Sequence, residues 1–545
     1  MRSYHLLLLM VILIAGSFLR ISGSADSDLV IDEATKVDAV EDYRDGKFWV
    51  NLEHPPLEKY LILSSISVFG VHDWSVKLPN VIMGCLTPLL IFIFVSRIGK
   101  GVWPGLVGAA ISSLSPVMIG YSLIAKEDTL LNFLSLIVVL LLVKVADIGI
   151  PSCERGPEEQ GVGNVIGSDP VGKRGVIHFI VHRLDPRPLN RTEIALGLLV
   201  GFSLASKYTM LFLLFAWSIF LFISRRNFLK EKGPRIMTVA VIVFATLSWY
   251  YLNPYWLMLG IFHWMVESVG GHLTFFMGAS YQYPPPWFYP VVFLGRIHPL
   301  VLFSSVGLIL ISLIGLVRSM RRMSRTSPER NRKSGSILEK MKGGMEQDSG
   351  LWFLMFWAMV IFLIMTVLPF KGVRYIQWII VPLIALSAVS IWRVVSSMKG
   401  RIKGPLALLV VILLMSGSVV FAHPYYTEWS YVFDEDSGVR DYNGQGHKEA
   451  LRWIEGSGEG GQVSMRWTEL GEYYYQNVTG PVSSMDEVIE GNVSYILIYI
   501  YDLQRAVHEN MTDIANSRNC ELVHEVVHHS VTVIWIYRVD PFIAP

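Results

Sequence analysis

The sequence predicts a mainly α, polytopic bundle of transmembrane helices followed by an α/β domain held outside the membrane. Three observations predict it. Apolar residues make up 52% of the 545 and charged residues only 17%, with a mean hydropathy of +0.45. A soluble chain of this size cannot cover so much apolar surface, whereas stretches of about 20 apolar residues span hydrocarbon. The apolar residues gather in long runs separated by charged segments, and after residue 422 those runs give way to short alternating stretches. A net charge of +1 leaves no electrostatic footprint for a nucleic-acid partner.

Hydropathic runs fall at about 5–20, 77–96, 102–123, 129–146, 193–206, 208–224, 236–252, 289–317, 351–369, 375–393 and 405–422, which gives about 11 spans. Residues 5–19 read as an uncleaved first span, with a signal-peptide core as the alternative. The run 60–72 is short and ends in Val-His-Asp-Trp, so it reads as an interfacial or re-entrant helix. Orientation follows from the lysines and arginines of the connections, because retained positive charge marks the cytoplasmic side. Arg97 and Lys100, the basic residues of 173–191 and 225–235, the run 318–342, and Arg393 to Lys403 all fall on one side if the N-terminus is inside. The outer side then receives the first outer loop 21–76, short turns near 124–128, 206–208 and 370–374, the segment 253–288, and everything after 423. The inside segments 150–190 and 318–349 read as flexible and without chemistry of their own. Cys85, Cys153 and Cys520 fall respectively in the bilayer, inside and outside, so no disulfide is expected.

These assignments divide the chain into a transmembrane domain, 1–422, and an extracytoplasmic α/β domain, 423–545. Tyr495–Tyr501 and Val531–Tyr537 alternate apolar and polar residues and read as strands, and Lys448–Glu455 reads as a helix. Asn477, Asn492 and Asn510 each open an N-glycosylation acceptor triplet.

Chemistry-bearing residues collect on the outer side. Asp32-Glu33 follows the first span; adjacent carboxylates there could act as general base and ligand, or form a solvated acidic turn. Glu53-His54-Pro55-Pro56-Leu57-Glu58-Lys59 makes a rigid elbow presenting His54 and Lys59, unless Lys59 merely snorkels. Lys126-Glu127-Asp128 puts three charges into a hairpin where one would suffice. Lys207, Arg296, His298, Lys371 and Arg374 are cations on the outer side or within a span. Their counter-charge is either a lipid phosphate or the carboxylates just named. Tyr281–Tyr289 joins aromatics to three prolines, reading as an aromatic belt or a stacking platform for sugar or isoprenoid.

The order of these pieces resembles that of the protein O-mannosyltransferase and aminoarabinose-transferase superfamily of membrane glycosyltransferases, which have the GT-C fold. Asp32-Glu33, His54-Pro55-Pro56-Leu57-Glu58-Lys59, Glu127-Asp128, and Lys371 with Arg374-Tyr375 carry the resemblance, over about residues 1–395. The tail resembles those of prokaryotic members. The resemblance implies inverting transfer of a sugar, mannose or another hexose, from a polyprenyl- or dolichyl-phosphate donor to a protein, glycan or lipid hydroxyl at the outer face of the cell membrane. It also implies Asp32 as general base, with Glu33 supporting it or positioning the acceptor, and Glu127 or Asp128 in a second acidic role. Lys59 and Arg374, with Lys207 and Lys371 as further candidates, would hold the departing lipid phosphate, and His54 lies beside them. Some relatives use a divalent metal, for which Glu58 and His54 are the candidate ligands. An oligosaccharyltransferase-like enzyme and a transporter of a polyprenyl-linked substrate are the alternatives. The tail has no Trp-Trp-Asp-Tyr-Gly stretch, and the hydropathy shows no inverted repeat.

Overall fold

The first helix, α1 (Ser3–Asp26), is a run of apolar residues, and the chain turns back immediately into α2 (Ile31–Arg44). The computed structural model describes residues 2–148, 190–270, 273–326, 348–399, 402–433, 435–458 and 460–540. Two of the segments expected inside, most of 150–190 with Cys153 and most of 318–349, lie outside these residues.

After α2 the Pro55-Pro56 elbow starts α3 (Leu57–Phe69). At 13 residues, roughly 20 Å, it is too short to cross a hydrocarbon core of about 30 Å. Then come α4 (Asp73–Ile98), α5 (Val102–Ser113), α6 (Pro116–Ser122) and α7 (Glu127–Val145). The run 102–123, expected as one span, is two helices bent by 58°. Pro116 has no amide for the preceding turn, and the Ser115 hydroxyl accepts instead from the Met118 amide, so the chain starts a new helix there.

The bundle continues through α8 (Arg191–Ser206), α9 (Met210–Ser224) and α10 (Arg226–Leu247), then the largely apolar α11 (Pro254–Gly270). A small hairpin follows, β1 (Thr274–Phe276) with β2 (Ala279–Tyr281). The run 289–317 also proves to be two helices, α12 (Phe288–Arg296) and α13 (Pro299–Thr326), parted at Ile297-His298 just before a proline. The last bundle helices are α14 (Ser349–Val367), α15 (Gln377–Ser397) and α16 (Lys403–Ala422). Among the described residues, seven helices are long and apolar enough to cross a membrane, and the bent pair α5–α6 makes an eighth. The other three runs form α8, α9 and α10. The first two have only 16 and 15 residues, and the start of α10 is too charged (Arg226 to Arg235) to sit in hydrocarbon.

Beyond α16 the chain runs over the bundle, where Tyr426 packs against α4 and α6, and then enters a five-stranded mixed sheet. Its members are α17 (His447–Gly456), β3 (Gln462–Ser464), α18 (Thr468–Tyr474), β4 (Val478–Thr479), α19 (Met485–Glu490), β5 (Val493–Tyr499), α20 (Ile500–Arg505), α21 (Glu509–Ala515), β6 (Cys520–His528) and β7 (Val531–Val539). The strand order is β4-β3-β5-β7-β6, parallel from β4 to β5 and antiparallel from β5 to β6. Ala450, Leu451 and Ile454 of α17 cover one face, and Val488, Met511 and Ile514 cover the other. The strand expected over Tyr495–Tyr501 starts two residues earlier and ends at Tyr499, where the chain turns into α20. Cys85 and Cys520 are both free thiols.

The sheet unit is sewn to the turn that leads into α2. The Ile31 amide donates to the Asn443 carbonyl at 3.1 Å, and the Leu29 amide to the Tyr474 hydroxyl at 2.7 Å. The Asp28 carboxylate accepts from the amides of Gly446 and Lys448, at 2.9 and 3.2 Å. Gly446 sits at φ +97°, a conformation that side-chain-bearing residues rarely adopt.

Candidate active site

The adjacent carboxylates Asp32 and Glu33 have opposite surroundings because they open a helix. Val30 is extended, and its amide donates to Glu33 Oε2 at 2.8 Å, closing the first turn of α2; Glu33 Oε1 accepts from the Ala125 amide at 2.6 Å. Glu33 is therefore fully buried and fastens α2 to the α6–α7 turn. Burial pushes its carboxyl up, against the opposing pull of Lys77 and the two amides. One position earlier, Asp32 points the other way, into a cavity of about 240 Å³ also lined by Lys36, His54, Lys207, Arg374 and Tyr375.

Asp32 Oδ2 is ion-paired with Lys126 and with Arg374 Nη1 at 3.1 Å. Burial raises its pKa, but Lys126, Arg374 and Lys36 outweigh it and hold the carboxyl well below the usual range. Lys36, one helical turn beyond Asp32, places Nζ 3.1 Å from Glu127 Oε1. His54 Nδ1 lies 3.8 Å from the same oxygen, but burial depresses the imidazole to about 3, so it stays neutral. Asp128 pairs with Lys207 at 2.6 Å. The Lys207 ammonium and the Arg374 guanidinium lie 5.8 and 5.4 Å from the centre of the Tyr375 ring.

The structure thus brings Asp32, His54, Lys207 and Arg374 to one cavity. Glu127 and Asp128 sit behind it, buried and paired with its cations. Lys59 is elsewhere: its buried ammonium donates to the carbonyls of Asn51 and His54 at 2.6 and 3.1 Å, pinning the elbow. Burial brings it down to about 7. Lys371 donates to the carbonyls of Leu368 and Thr366 at 2.7 and 2.9 Å, finishing the end of α14. It lines a neighbouring cavity rather than this one. Of the aromatic motif, Phe288 and Tyr289 are buried while Tyr281, Tyr283 and Trp287 face outward, and none lines the Asp32 cavity.

Glu58 is fully buried, and neither carboxylate oxygen has a hydrogen-bond partner among the described residues. Burial, then the neighbouring Glu127, pushes it up to about 8, so it is protonated at neutral pH. A neutral Glu58 that does not line the cavity His54 lines is a poor partner for it as a metal ligand. Among the described residues no three His, Cys, Asp or Glu side chains form a group that could hold a metal ion. These residues do not fit a divalent cation.

Two participants escaped the sequence reading: Lys36, and Lys126 as a partner of Asp32. Lys36 had a signal, since Asp32 and Lys36 are four apart on a helix and must share a face. Lys126 had none, because its pairing depends on where α7 meets α2.

The dolichyl-phosphate-mannose-protein mannosyltransferase family model matches residues 53–151 and 177–250. No curated protein matches the chain. Among solved structures, apo ArnT from Cupriavidus metallidurans superposes with a TM-score of 0.50 at 13% identity, over 98% of this chain and 97% of that one. The same protein bound to undecaprenyl phosphate gives 0.48 at 12% identity, over 98% of each chain. The archaeal oligosaccharyltransferase AglB from Archaeoglobus fulgidus, in complex with an inhibitory peptide and a dolichol-phosphate, gives 0.47 at 12% identity, over 94% of this chain and 72% of that one. The chain therefore has the fold of ArnT, the GT-C fold, and over residues 53–151 and 177–250 it matches the dolichyl-phosphate-mannose-protein mannosyltransferase family model.

Proposed function

We propose that this chain transfers a sugar from a polyprenyl-phosphate donor to an acceptor hydroxyl, with inversion, in the cavity around Asp32. The observation that carries the reading is the placement of one ionised carboxylate between Lys126 and Arg374 on the wall of an accessible cavity. The match to a family described by its dolichyl-phosphate-mannose donor supports the donor class. Mannose fits that description, another hexose is the wider class, and the acceptor is a protein, glycan or lipid hydroxyl.

Asp32 accepts the acceptor's hydroxyl proton as the oxygen bonds to the anomeric carbon. The bond from that carbon to the phosphate oxygen breaks, and its electron pair leaves with the phosphate. A phosphate leaving group needs little acid catalysis; it needs fixed positive charge where its own charge develops, and Arg374 and Lys207 line that cavity. A carboxylate clamped by two cations is a weak base. A donor phosphate competing for Arg374 and Lys126 would loosen that clamp and raise Asp32's basicity only when the donor is bound. Glu127 and Asp128 keep Lys36 and Lys207 in place. Glu33 holds the α2 turn, and Lys59 holds the elbow carrying His54.

The site end of the bundle lies opposite the helix ends near Arg225 and Arg393, and the positive-inside rule favours the cytoplasm for ends that retain such cations. On that basis the cavity and the sheet unit face the extracytoplasmic side. The test is sugar release from dolichyl-phosphate mannose and other polyprenyl-phosphate hexoses in membranes containing the full chain. Arg374→Ala is expected to weaken apparent donor affinity by roughly tenfold or more, the scale of a lost charged hydrogen bond. No turnover of any polyprenyl-phosphate sugar, or an unchanged donor affinity in Arg374→Ala, would overturn the reading.

A further inference from the structure

Arg374 and Tyr375 also line a second cavity, of about 170 Å³. The sheet unit lines it too, through Arg440, Asp441, Asn443, Tyr501 and Arg505. The charge on these walls is lopsided. Lys371, Arg374, Arg440 and Arg505 line it, against the single carboxylate of Asp441. That carboxylate accepts from the Tyr121 hydroxyl at 2.7 Å. Arg374 is satisfied by Asp32 in the first cavity, and Lys371 by helix-end carbonyls. The two sheet-side arginines differ. Nε and Nη1 of Arg440 are buried and have no hydrogen-bond partner among the described residues. The Arg505 guanidinium lies over the Tyr501 ring, 3.4 Å from its centre, and donates from Nε to the Leu273 carbonyl at 2.9 Å. Its other two nitrogens are not engaged in any ion pair among the described residues.

Four cations around one carboxylate favour a bound anion, and the planar guanidinium fork suits an oxyanion with two oxygens. We infer that this second cavity holds a carboxylate or phosphate group carried by the acceptor substrate, with Arg440 and Arg505 as its partners. The inference rests on the transferase reading for the word acceptor. The donor phosphate belongs at Arg374 and Lys207 in the first cavity. A second anion one guanidinium away lets one molecule reach from the sheet unit to Asp32 with its hydroxyl leading. Specificity for an anionic acceptor is thus written into the joint between bundle and sheet.

The experiment measures binding of three probes to the purified full chain: a neutral methyl hexoside, its phosphate monoester, and the corresponding methyl uronide. Wild type is expected to bind one or both anionic probes at least about tenfold more tightly than the neutral one, since one charged hydrogen-bonded contact commonly exceeds a tenfold effect. Which of the two binds tells a phosphate-bearing acceptor from a carboxylate-bearing one. Arg440→Gln, Arg505→Gln and the double variant are expected to lose that preference. Equal binding of neutral and anionic probes by wild type overturns the inference without requiring any variant to fold. So does a double variant that keeps the preference. Undecaprenyl phosphate binding and donor turnover are followed in parallel on wild type. If these fail while the anionic preference stands, the transferase reading is at fault; if they hold while the preference is absent, only the acceptor site is.

Discussion

Replacing Asp32 by asparagine keeps the shape of the cavity wall and removes one negative charge and one base. Losing a general base costs roughly a hundred- to ten-thousand-fold in rate, or about 3 to 5 kcal/mol of transition-state stabilisation. The fold should lose far less. At 3.1 Å the attraction to Arg374 is about 5 kcal/mol at an effective dielectric of about 20, before solvent acts. The carboxylate is 31% exposed and the guanidinium 26%, so screening brings the net contribution to the order of 1 kcal/mol. Melting should therefore fall by a few degrees at most. Donor binding should hold or tighten, because Arg374 and Lys126 no longer have a resident carboxylate competing with the phosphate. The assay is turnover of a polyprenyl-phosphate hexose in membranes, alongside binding of the same lipid by the purified variant. Turnover within about threefold of wild type would refute Asp32 as the base. A loss of turnover matched by an equal loss of donor binding would also refute it, since Asp32 would then only hold the site together.

Three further outcomes follow from the same geometry. Glu58 is raised to about 8 from an ordinary 4.5, so the folded protein binds an extra proton between those values and loses stability as pH rises through the window. Glu58→Gln, with no proton to lose, should flatten the melting temperature between pH 6 and 9 and exceed wild type above pH 8; identical pH profiles would show that Glu58 is already ionised. Asp32 is held low partly by Lys126, so Lys126→Met should move the acid limb of the pH–rate profile upward by at least about one unit, where an unmoved limb would dissociate the pair. Glu33→Ala strands the Val30 and Ala125 amides and should cost about 2–4 kcal/mol of stability. A melting temperature equal to wild type would mean that water satisfies both amides instead.

The bundle was readable because hydrocarbon imposes a length and a composition that no local preference can disguise. Its breaks were less so. Pro116 and Pro299 are visible in the sequence, yet a proline within an apolar run can equally sit inside a straight-enough helix, as Pro79 and Pro88 do in α4. In the tail β6 was overlooked, although Cys520–His528 is as long as β7, because four of its nine residues are polar or charged. At the site, Asp32 and Arg374 could be singled out as charges placed where the membrane needs a reason for them. Their mutual contact could not be found that way, being 342 residues apart in sequence. Lys59 and Lys371 show the limit of reasoning from charge alone. Each is a cation in the expected place, but backbone carbonyls at a helix end and in a proline elbow consume its donors.

The four hydrogen bonds between residues 28–31 and the sheet unit carry a practical consequence for anyone recombining these proteins. Asp32 stands one residue past a tether whose other half is supplied by Asn443, Gly446, Lys448 and Tyr474. A chimera that exchanges the tail of this chain for that of a distant relative would change the footing of the base itself, even with the cavity residues untouched. Bundle and tail are therefore best treated as a matched pair in design, and a graft should carry the 28–31 turn along with the tail that grips it.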